Sequence, residues 1–256
     1  MIPKIIHFCW LSGETYPEKI EQCLASWKKY LPDYDIWLWD TKRFDVSAMS
    51  WTRQSFEVGK YAFAADYIRL YAVYYYGGIY LDSDVIVYKS FDELLYLPYF
   101  IGQDYCGAFE PAVFGAEKGC FWLEPLLKYY ENRNFIKEDG AYDAIPLPQI
   151  FYKELNERYK FYQLHSLVPS YKYNDSFYVF DGDFFNSRNS IEPHQTSKSY
   201  SSHCYVGSWV KKNNSLKTRF IKRIPKKLLQ LFFFISHHTW NYKKIHRFEP
   251  KFEKID

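Results

Sequence analysis

Apolar and polar positions along the chain alternate in a way that predicts strands and helices in turn. Residues 5–10 form a short apolar run ending in polar residues and glycine, as a buried strand does before a loop. Residues 17–30 have apolar side chains at helical spacing, with a proline near each end. A strand is predicted at residues 36–39. This β-α-β beginning is typical of an α/β nucleotide-binding sheet.

The same pattern continues around a pair of aspartates. Residues 61–76 lack Gly and Pro and predict a helix that ends at Gly77 and Gly78. Residues 79–81 predict a buried strand, and Asp82 and Asp84 follow it directly. Ligands of open α/β sheets collect beyond the carboxyl ends of strands, so these carboxylates are expected in a binding cleft. The remaining predicted elements are strands at 85–88, 99–103, 112–115 and near Val206, and helices at 121–132 and 148–159.

Asp82 and Asp84 are candidate metal ligands. Acids two residues apart face opposite sides of a strand, but at a strand end both can converge on one cation. A hard divalent ion binds through one or two carboxylates plus substrate phosphates, and it neutralises a leaving diphosphate. The alternative for the motif alone is a polar Asp-Ser-Asp turn.

Asp66 and Arg69 stand three residues apart and share one face of the predicted helix. The guanidinium offers a fixed fork of donors that suits a diphosphate or paired sugar hydroxyls. A surface ion pair is the ordinary alternative. Proximity to the two aspartates favours a binding function.

These blocks resemble glycosyltransferase family 32, whose sugar-nucleotide-binding region contains a DXD motif. The family includes yeast initiating mannosyltransferases, the glucosylating domains of large clostridial toxins and bacterial capsule enzymes. The resemblance implies a GT-A (Rossmann-like) α/β fold, retention of anomeric configuration, and Mn²⁺ or Mg²⁺ as cofactor. It covers about four fifths of the chain, through residues 2–10, 26–28, 65–69, 77–84, 115–119 and 203–209.

The resemblance also implies roles for single residues. Asp66 and Arg69 would hold hydroxyls of the donor sugar, Asp82 would face the ribose and sugar, and Asp84 would be the more direct metal ligand. Trp10 would stack on the donor base, with a core position as the equal alternative.

Three further residues come from a late stretch of the resemblance. His203 would complete the metal shell or touch the diphosphate, against the more common role of an ordinary structural histidine. Ser208 and Trp209 would form a lid over the diphosphate. His7 lies inside the first strand and is expected to be a core histidine.

Charge divides the chain into two predicted parts, a GT-A catalytic domain at 1–210 and a basic C-terminal segment at 211–256. The segment has thirteen Lys and Arg against three Asp and Glu, which leaves twenty basic and twenty-seven acidic residues upstream. Its basic run at 217–227 precedes an apolar run at 228–235, which is typical of an anchor on an anionic membrane surface. A helix packed on the catalytic domain is the alternative.

Localisation is predicted to be cytoplasmic, on the inner face of the membrane. The first residues show no secretory leader, and five cysteines without CxxC spacing indicate a reducing compartment rather than a disulfide framework. The acidic catalytic part has no nucleic-acid motif. Aromatic residues make up 22% of the chain, which suits stacking on rings or reflects codon usage.

The predicted function is a retaining transfer of a hexose from a nucleotide diphosphate sugar, a UDP-sugar rather than GDP-mannose, to a glycan or lipid-linked oligosaccharide in bacterial capsule or surface polysaccharide synthesis. Two alternatives remain open. Residues 79–85 also resemble the first motif of haloacid dehalogenase-type phosphatases, where Asp82 would be the nucleophile. The chain could instead be an inactive sugar-nucleotide-binding membrane protein.

Overall fold

The computed structural model describes residues 1–104, 107–171, 175–189, 192–206 and 250–253. Within these ranges, eight strands form one mixed sheet, and their order across the sheet is 35–39, 5–9, 78–81, 109–116, 99–103, 176–180, 160–164 and 252–253. The strand at 109–116 runs antiparallel to both neighbours, and the other pairings in this sheet are parallel. The predicted α/β, Rossmann-like fold class is confirmed.

The first half of the chain builds one side of the sheet through β-α-β units. Its elements are β1 (Ile5–Cys9), α1 (Glu18–Tyr30), β2 (Asp35–Trp39), α2 (Ser50–Glu57), α3 (Tyr61–Tyr76) and β3 (Gly78–Leu81). The predicted helix at 61–76 has the observed bounds of α3, because Gly77 ends it at a positive φ of 70°.

The second half adds the remaining strands and three helices. They are β4 (Val85–Val87), β5 (Tyr99–Gln103), β6 (Phe109–Ala116), α4 (Leu123–Tyr130), α5 (Leu147–Leu155), β7 (Lys160–Leu164), β8 (Ser176–Phe180), α6 (Gly182–Phe185), β9 (Arg188–Asn189), β10 (Glu192–Pro193), β11 (Ser201–His203) and β12 (Phe252–Glu253). Outside the main sheet, β4 pairs antiparallel with β11. This pairing returns a late segment of the chain to the residues that follow β3.

Apolar side chains fill both faces of the sheet. On β6, Phe114 belongs to one buried cluster and the adjacent Val113 to the other, as the alternation of a strand requires. Trp51 and Trp122 pack in the apolar cluster that contains Phe114, and Trp27 packs in the one that contains Val113. Much of the aromatic content therefore lies in the core.

His7 is a core histidine, as predicted. Its side chain is fully buried, and its Nδ1 accepts a hydrogen bond from Trp39 Nε1 at 3.0 Å. The Nε2 then carries the proton and donates to the carbonyl of Gly77 at 2.7 Å. Burial lowers the pKa of His7 to about 4, so the ring is neutral at pH 7.

The turn from α3 into β3 needs two glycines. Gly78 has a φ of 108°, and a Cβ there would lie 2.7 Å from the carbonyl oxygen of Ile5. This close approach keeps β3 against β1 and fixes where the aspartates after β3 emerge.

One predicted strand is wrong. Val206 is not in a strand, because its backbone N–H donates to the Asp84 carboxylate at 2.8 Å instead of to a neighbouring strand. The nearby strand β11 ends at His203, and Tyr205 has a positive φ of 49° that turns the chain. The predicted strands and helices at 85–88, 112–115, 121–132 and 148–159 overlap β4, β6, α4 and α5, with shifted bounds.

The proposed lid residues Ser208 and Trp209 and most of the segment 211–256 lie outside the described residues. The described end of that segment, β12, pairs with β7, and Pro250 is buried. No helix in the described ranges is both long enough and apolar enough to cross a bilayer. The boundary after residue 210 and the membrane anchor stay predictions.

Candidate active site

The carboxyl edge of the first parallel strands gathers the predicted site residues. β1 and β3 are paired with His7 opposite Tyr80, so Trp10 and Asp82 emerge at the same edge. The antiparallel neighbour β6 begins at this edge, and the Asp82 N–H donates to the carbonyl of Ala112 at 2.8 Å. The site therefore lies where an open α/β sheet binds its ligands.

A first cluster, which we call the arginine cluster, consists of Asp66, Arg69, Tyr80 and Asp82. Arg69 Nη2 lies 3.1 Å from Asp66 Oδ1 and 3.2 Å from Asp82 Oδ1. Its Nη1 donates to Asp82 Oδ2 and to the carbonyl of Pro111. The Tyr80 hydroxyl donates to Asp82 Oδ1 at 2.9 Å, and its ring lies under the guanidinium.

The arginine cluster is buried, unlike a surface ion pair. Arg69 is 6% exposed and Asp66 is 9% exposed. Burial raises the pKa of Asp66 to about 7, although the Arg69 charge acts in the opposite direction. Burial likewise raises the pKa of Asp82. A buried arginine between two carboxylates has a fixed orientation, which is what a group that positions a ligand needs.

A second cluster, which we call the histidine cluster, consists of Asp84, Glu110, Asn186, His203 and Tyr205. His203 Nε2 lies 3.1 Å from Asp84 Oδ1, and His203 Nδ1 lies 3.4 Å from Glu110 Oε1. Asp84 Oδ2 accepts the N–H of Val206. The register of β11 against β4, with His203 opposite Val85, produces this contact.

The pKa values of the carboxylates in the histidine cluster are shifted in the opposite direction from those in the arginine cluster. Burial would raise the pKa of Asp84 and of Glu110, but contacts with His203 and hydrogen bonds from neighbours lower both. Burial would lower the pKa of His203, but Glu110 and Asp84 raise it well above its ordinary value. The cluster therefore favours one positive charge beside Asp84.

Asp82, Asp84 and His203 could hold a metal ion. One ligand atom from each lies within 4.8 Å of the others, and all three side chains are partly exposed. Two carboxylate oxygens and an imidazole nitrogen form a donor set that suits Mn²⁺, and the carboxylates suit Mg²⁺. A divalent ion would replace the imidazole proton as the positive charge, since histidine binds metals through a neutral nitrogen. The residues present therefore fit the group that the DXD motif implies.

Trp10 lies at the rim of the site and is not in the core. It is partly exposed and directly follows β1, and its Nε1 donates to the carbonyl of Glu14 at 2.7 Å. Its ring meets Tyr16 edge to face at 5.0 Å. This anchoring leaves a partly exposed indole at the carboxyl edge, where a base could stack.

The sequence reasoning missed Glu110, Asn186 and Tyr205. Glu110 Oε2 accepts hydrogen bonds from Asn186 Nδ2 and from the Tyr205 hydroxyl, each at 2.6 Å. A glutamate inside an otherwise apolar strand was the available signal, because a buried charge needs a partner. Asn186 gave no signal, since its neighbours in space are distant in sequence.

Known proteins are similar to this chain in the region that contains four of these site residues. A family profile described as "Glycosyltransferase sugar-binding region containing DXD motif" matches residues 17–100, which include Asp66, Arg69, Asp82 and Asp84. Residues 17–100 of this chain are thus similar to the sugar-binding region of these glycosyltransferases. The family 32 resemblance is thereby confirmed.

Individual relatives cover the chain unevenly. "Inositol phosphoceramide mannosyltransferase 3" of Schizosaccharomyces pombe is 34% identical over 46% of this chain and 34% of its own length. "Uncharacterized glycosyltransferase L373" of Acanthamoeba polyphaga mimivirus is 23% identical over 82% of this chain and 84% of its own. The chain thus spans about a third of the first curated relatives it matches.

A solved structure, "PaToxG Glycosyltransferase", aligns with a TM-score of 0.45 and 21% identity over 61% of this chain and 68% of its own. The link between the site and the family therefore rests on Asp66, Arg69, Asp82 and Asp84, which lie within the family match, and not on this structural alignment.

Proposed function

We propose that this protein transfers a hexose from a nucleotide diphosphate sugar to a glycan or glycolipid acceptor, using a divalent metal held by Asp82, Asp84 and His203. The observation that carries the proposal is the convergence of these three side chains at the carboxyl end of β3. They come from two distant segments, and a simple polar turn would not require the third member.

A divalent ion held by these residues would supply positive charge to neutralise the leaving diphosphate. The protein's own residues do the rest. Arg69 holds Asp82 through both carboxylate oxygens and keeps Asp66 beside it. In this proposal Asp66 and Arg69 bind hydroxyls of the donor sugar, and the partly exposed Trp10 stacks on the base.

Retention of configuration is part of the proposal and follows from the family resemblance. The donor base and the donor sugar are to be identified by direct measurement. The sequence resemblance favours a UDP-sugar, whereas the yeast relatives named as mannosyltransferases favour a mannosyl donor. The acceptor in the names of these relatives, inositol phosphoceramide, supports a lipid-borne acceptor, and we extend the proposal to a role in capsule or surface polysaccharide synthesis.

The test is a donor screen on the full chain, read by release of nucleoside diphosphate from UDP-glucose, UDP-galactose and GDP-mannose with Mn²⁺ or Mg²⁺. We expect one donor to be turned over in a metal-dependent way and turnover by Asp84→Asn to be roughly a thousandfold slower. Release of inorganic phosphate from sugar phosphates, without nucleotide release, would favour the phosphatase alternative. That alternative has less support, because the glycosyltransferase family profile matches the region that contains Asp82 and Asp84.

We also propose that the basic segment docks the enzyme on an anionic membrane surface on the cytoplasmic side. Its support is sequence charge alone: Lys222, Arg223, Lys226 and Lys227 precede an apolar run. Truncation would also remove β12, so the sharper variant changes these four residues to Gln. The matched control changes four exposed lysines of the catalytic part, Lys28, Lys29, Lys128 and Lys153, to Gln.

In sedimentation with phosphatidylglycerol vesicles, we expect the wild type and the control to pellet with the vesicles. We expect the segment variant to stay in the supernatant. Each charge contributes about 1 kcal/mol near such a surface. Equal sedimentation of the segment variant would contradict membrane docking while leaving the transferase proposal intact.

A further inference from the structure

Glu110 is a buried carboxylate behind the proposed metal ligands. It is 5% exposed, near the start of β6, where neighbouring side chains are apolar. In the described part of the chain, the cationic group it contacts is His203. Burying a charge at this depth is costly without a partner, so the arrangement calls for an explanation.

Both oxygens of Glu110 are held in place. Oε2 accepts from Asn186 Nδ2 and the Tyr205 hydroxyl, and Oε1 accepts from the N–H of Ala112 at 3.2 Å. These donors come from β6 itself, from the end of α6 and from the turn after β11. The carboxylate therefore has a fixed orientation, with Oε1 toward His203.

The imidazole of His203 is constrained on three sides. Nδ1 faces Glu110, Nε2 faces Asp84, and the ring stacks on Tyr205 with centroids 3.9 Å apart. Tyr205 reaches this position with a positive φ of 49°, which a tyrosine rarely adopts. Strained backbone of this kind persists only where surrounding contacts hold it, and it concentrates at functional sites.

The two ring nitrogens of a histidine have different tasks when the ring binds a metal. A carboxylate that accepts the Nδ1–H leaves Nε2 as the ligating atom, and it fixes the rotation of the ring. Glu110 and Asp84 lie on opposite nitrogens of His203, which is the order this task requires.

We propose that Glu110 is a positioning residue that holds His203 with Nε2 toward the Asp82–Asp84 pair and thereby sets the affinity for the divalent ion. Asn186 and Tyr205 support Glu110 in this role. The inference rests on the proposed metal-dependent function and extends it to residues outside the DXD motif.

The main variant is Glu110→Gln, which keeps the size of the side chain and removes its charge. Partners of this kind change metal affinity by about 10–100-fold when they are removed, and we expect a loss of that size in Mn²⁺ titrations of the full chain. The matched control is Asp143→Asn, another buried carboxylate, which pairs with Arg133 at 2.7 Å. The control should lose stability but keep its Mn²⁺ affinity.

If Glu110→Gln does not fold, Tyr205→Phe serves as the second variant. It keeps the ring on His203 and removes the hydroxyl that holds Glu110 Oε2. We expect a smaller loss, about tenfold or less, because Asn186 still holds the same oxygen. Unchanged Mn²⁺ affinity in a folded Glu110→Gln or Tyr205→Phe protein would overturn the inference.

Electron spin echo spectroscopy of bound Mn²⁺ gives a readout that general destabilisation does not move. We expect the coupling of a histidine nitrogen to Mn²⁺ in the wild type, its absence in His203→Gln, and a weakened coupling in Glu110→Gln. A wild type that turns over donor without this coupling would overturn the inference and leave the transferase proposal standing. Intact coupling without turnover of any donor would count against the transferase proposal alone.

Discussion

The arginine cluster and the histidine cluster lie beside each other but are built from different distances in sequence. Asp66, Arg69, Tyr80 and Asp82 fall within seventeen residues, on one helix and the strand that follows it. The histidine cluster joins segments from Asp84 to Tyr205, through the pairing of β4 with β11. One is a local motif, and the other exists only in the folded chain.

The clusters also differ in charge. Two carboxylates share one arginine in the first, and burial raises the pKa of both. Two carboxylates share one histidine in the second, and their pKa values are lowered. This contrast suggests a division of work, in which Arg69 fixes the sugar side and His203 completes the metal side.

The largest effect is expected from a substitution that breaks the arginine cluster. Arg69→Met leaves the buried Asp66 and the half-buried Asp82 without their cation, and we expect the free energy of unfolding to fall by about 3–5 kcal/mol. The control is Lys128→Met, which removes an exposed pair with Glu124 and should change stability by less than about 1 kcal/mol. Urea denaturation measures both. Equal small losses would mean that the Arg69 pairs are no more important than a surface pair.

The next effect separates the clusters by function. Asp84→Asn keeps an oxygen that can accept the Val206 N–H, so we expect the fold to remain. Loss of metal clamping is worth several kcal/mol, and we expect kcat to fall roughly a thousandfold. Asp183→Asn, at an exposed aspartate outside both clusters, is the control. Near-normal kcat in Asp84→Asn would place the metal, or the chemistry, elsewhere.

A third prediction uses His7, a buried histidine whose partners carry no charge. Its pKa is about 4 in the folded protein, against about 6.5 when unfolded. The unfolded chain therefore binds more protons between these values, so stability is complete above pH 6.5 and falls as pH drops toward 4. The shift corresponds to about 3 kcal/mol.

His7→Gln should show a flatter dependence of unfolding free energy on pH across this window than the wild type. It should also be less stable at pH 7, since one amide does not reproduce both hydrogen bonds of the ring. A histidine resonance of His7 that titrates near pH 6.5 in the folded protein would contradict the assignment.

The smallest predicted effect concerns the rim. Trp10→Ala should weaken donor binding by about 1–3 kcal/mol, a tenfold to hundredfold rise in KM, because stacking acts on ground state and transition state alike. Tyr16→Ala, which removes the edge contact to Trp10, is the companion variant and should have a smaller effect. An unchanged KM with a collapsed melting temperature would show that Trp10 is structural.

The sequence predicted what depends on neighbours in the chain. α3 and the strand before Asp82 followed from apolar spacing and from the two glycines between them. His7 followed from its place in an apolar run. The pairing of Asp66 with Arg69 followed from helical geometry, although its burial did not, because burial depends on how the sheet and helices pack.

Glu110 and Tyr205 show where such reasoning stops. The strand near Val206 was placed wrongly because an apolar residue there uses its N–H to bind Asp84. The positive φ of Tyr205 and the register of β11 against β4 are tertiary outcomes that no local pattern records. The family resemblance predicted His203 as a site residue, but it did not predict Glu110, the carboxylate that contacts it.

The most direct measurement is calorimetric titration of the full chain with UDP and with GDP, in Mn²⁺ and in EDTA, for wild type and Asp84→Asn. We predict that one nucleoside diphosphate binds the wild type in Mn²⁺, that EDTA abolishes this binding, and that Asp84→Asn weakens it strongly. Equal affinity in Mn²⁺ and in EDTA, unaffected by Asp84→Asn, would contradict a metal-bridged diphosphate at the DXD motif.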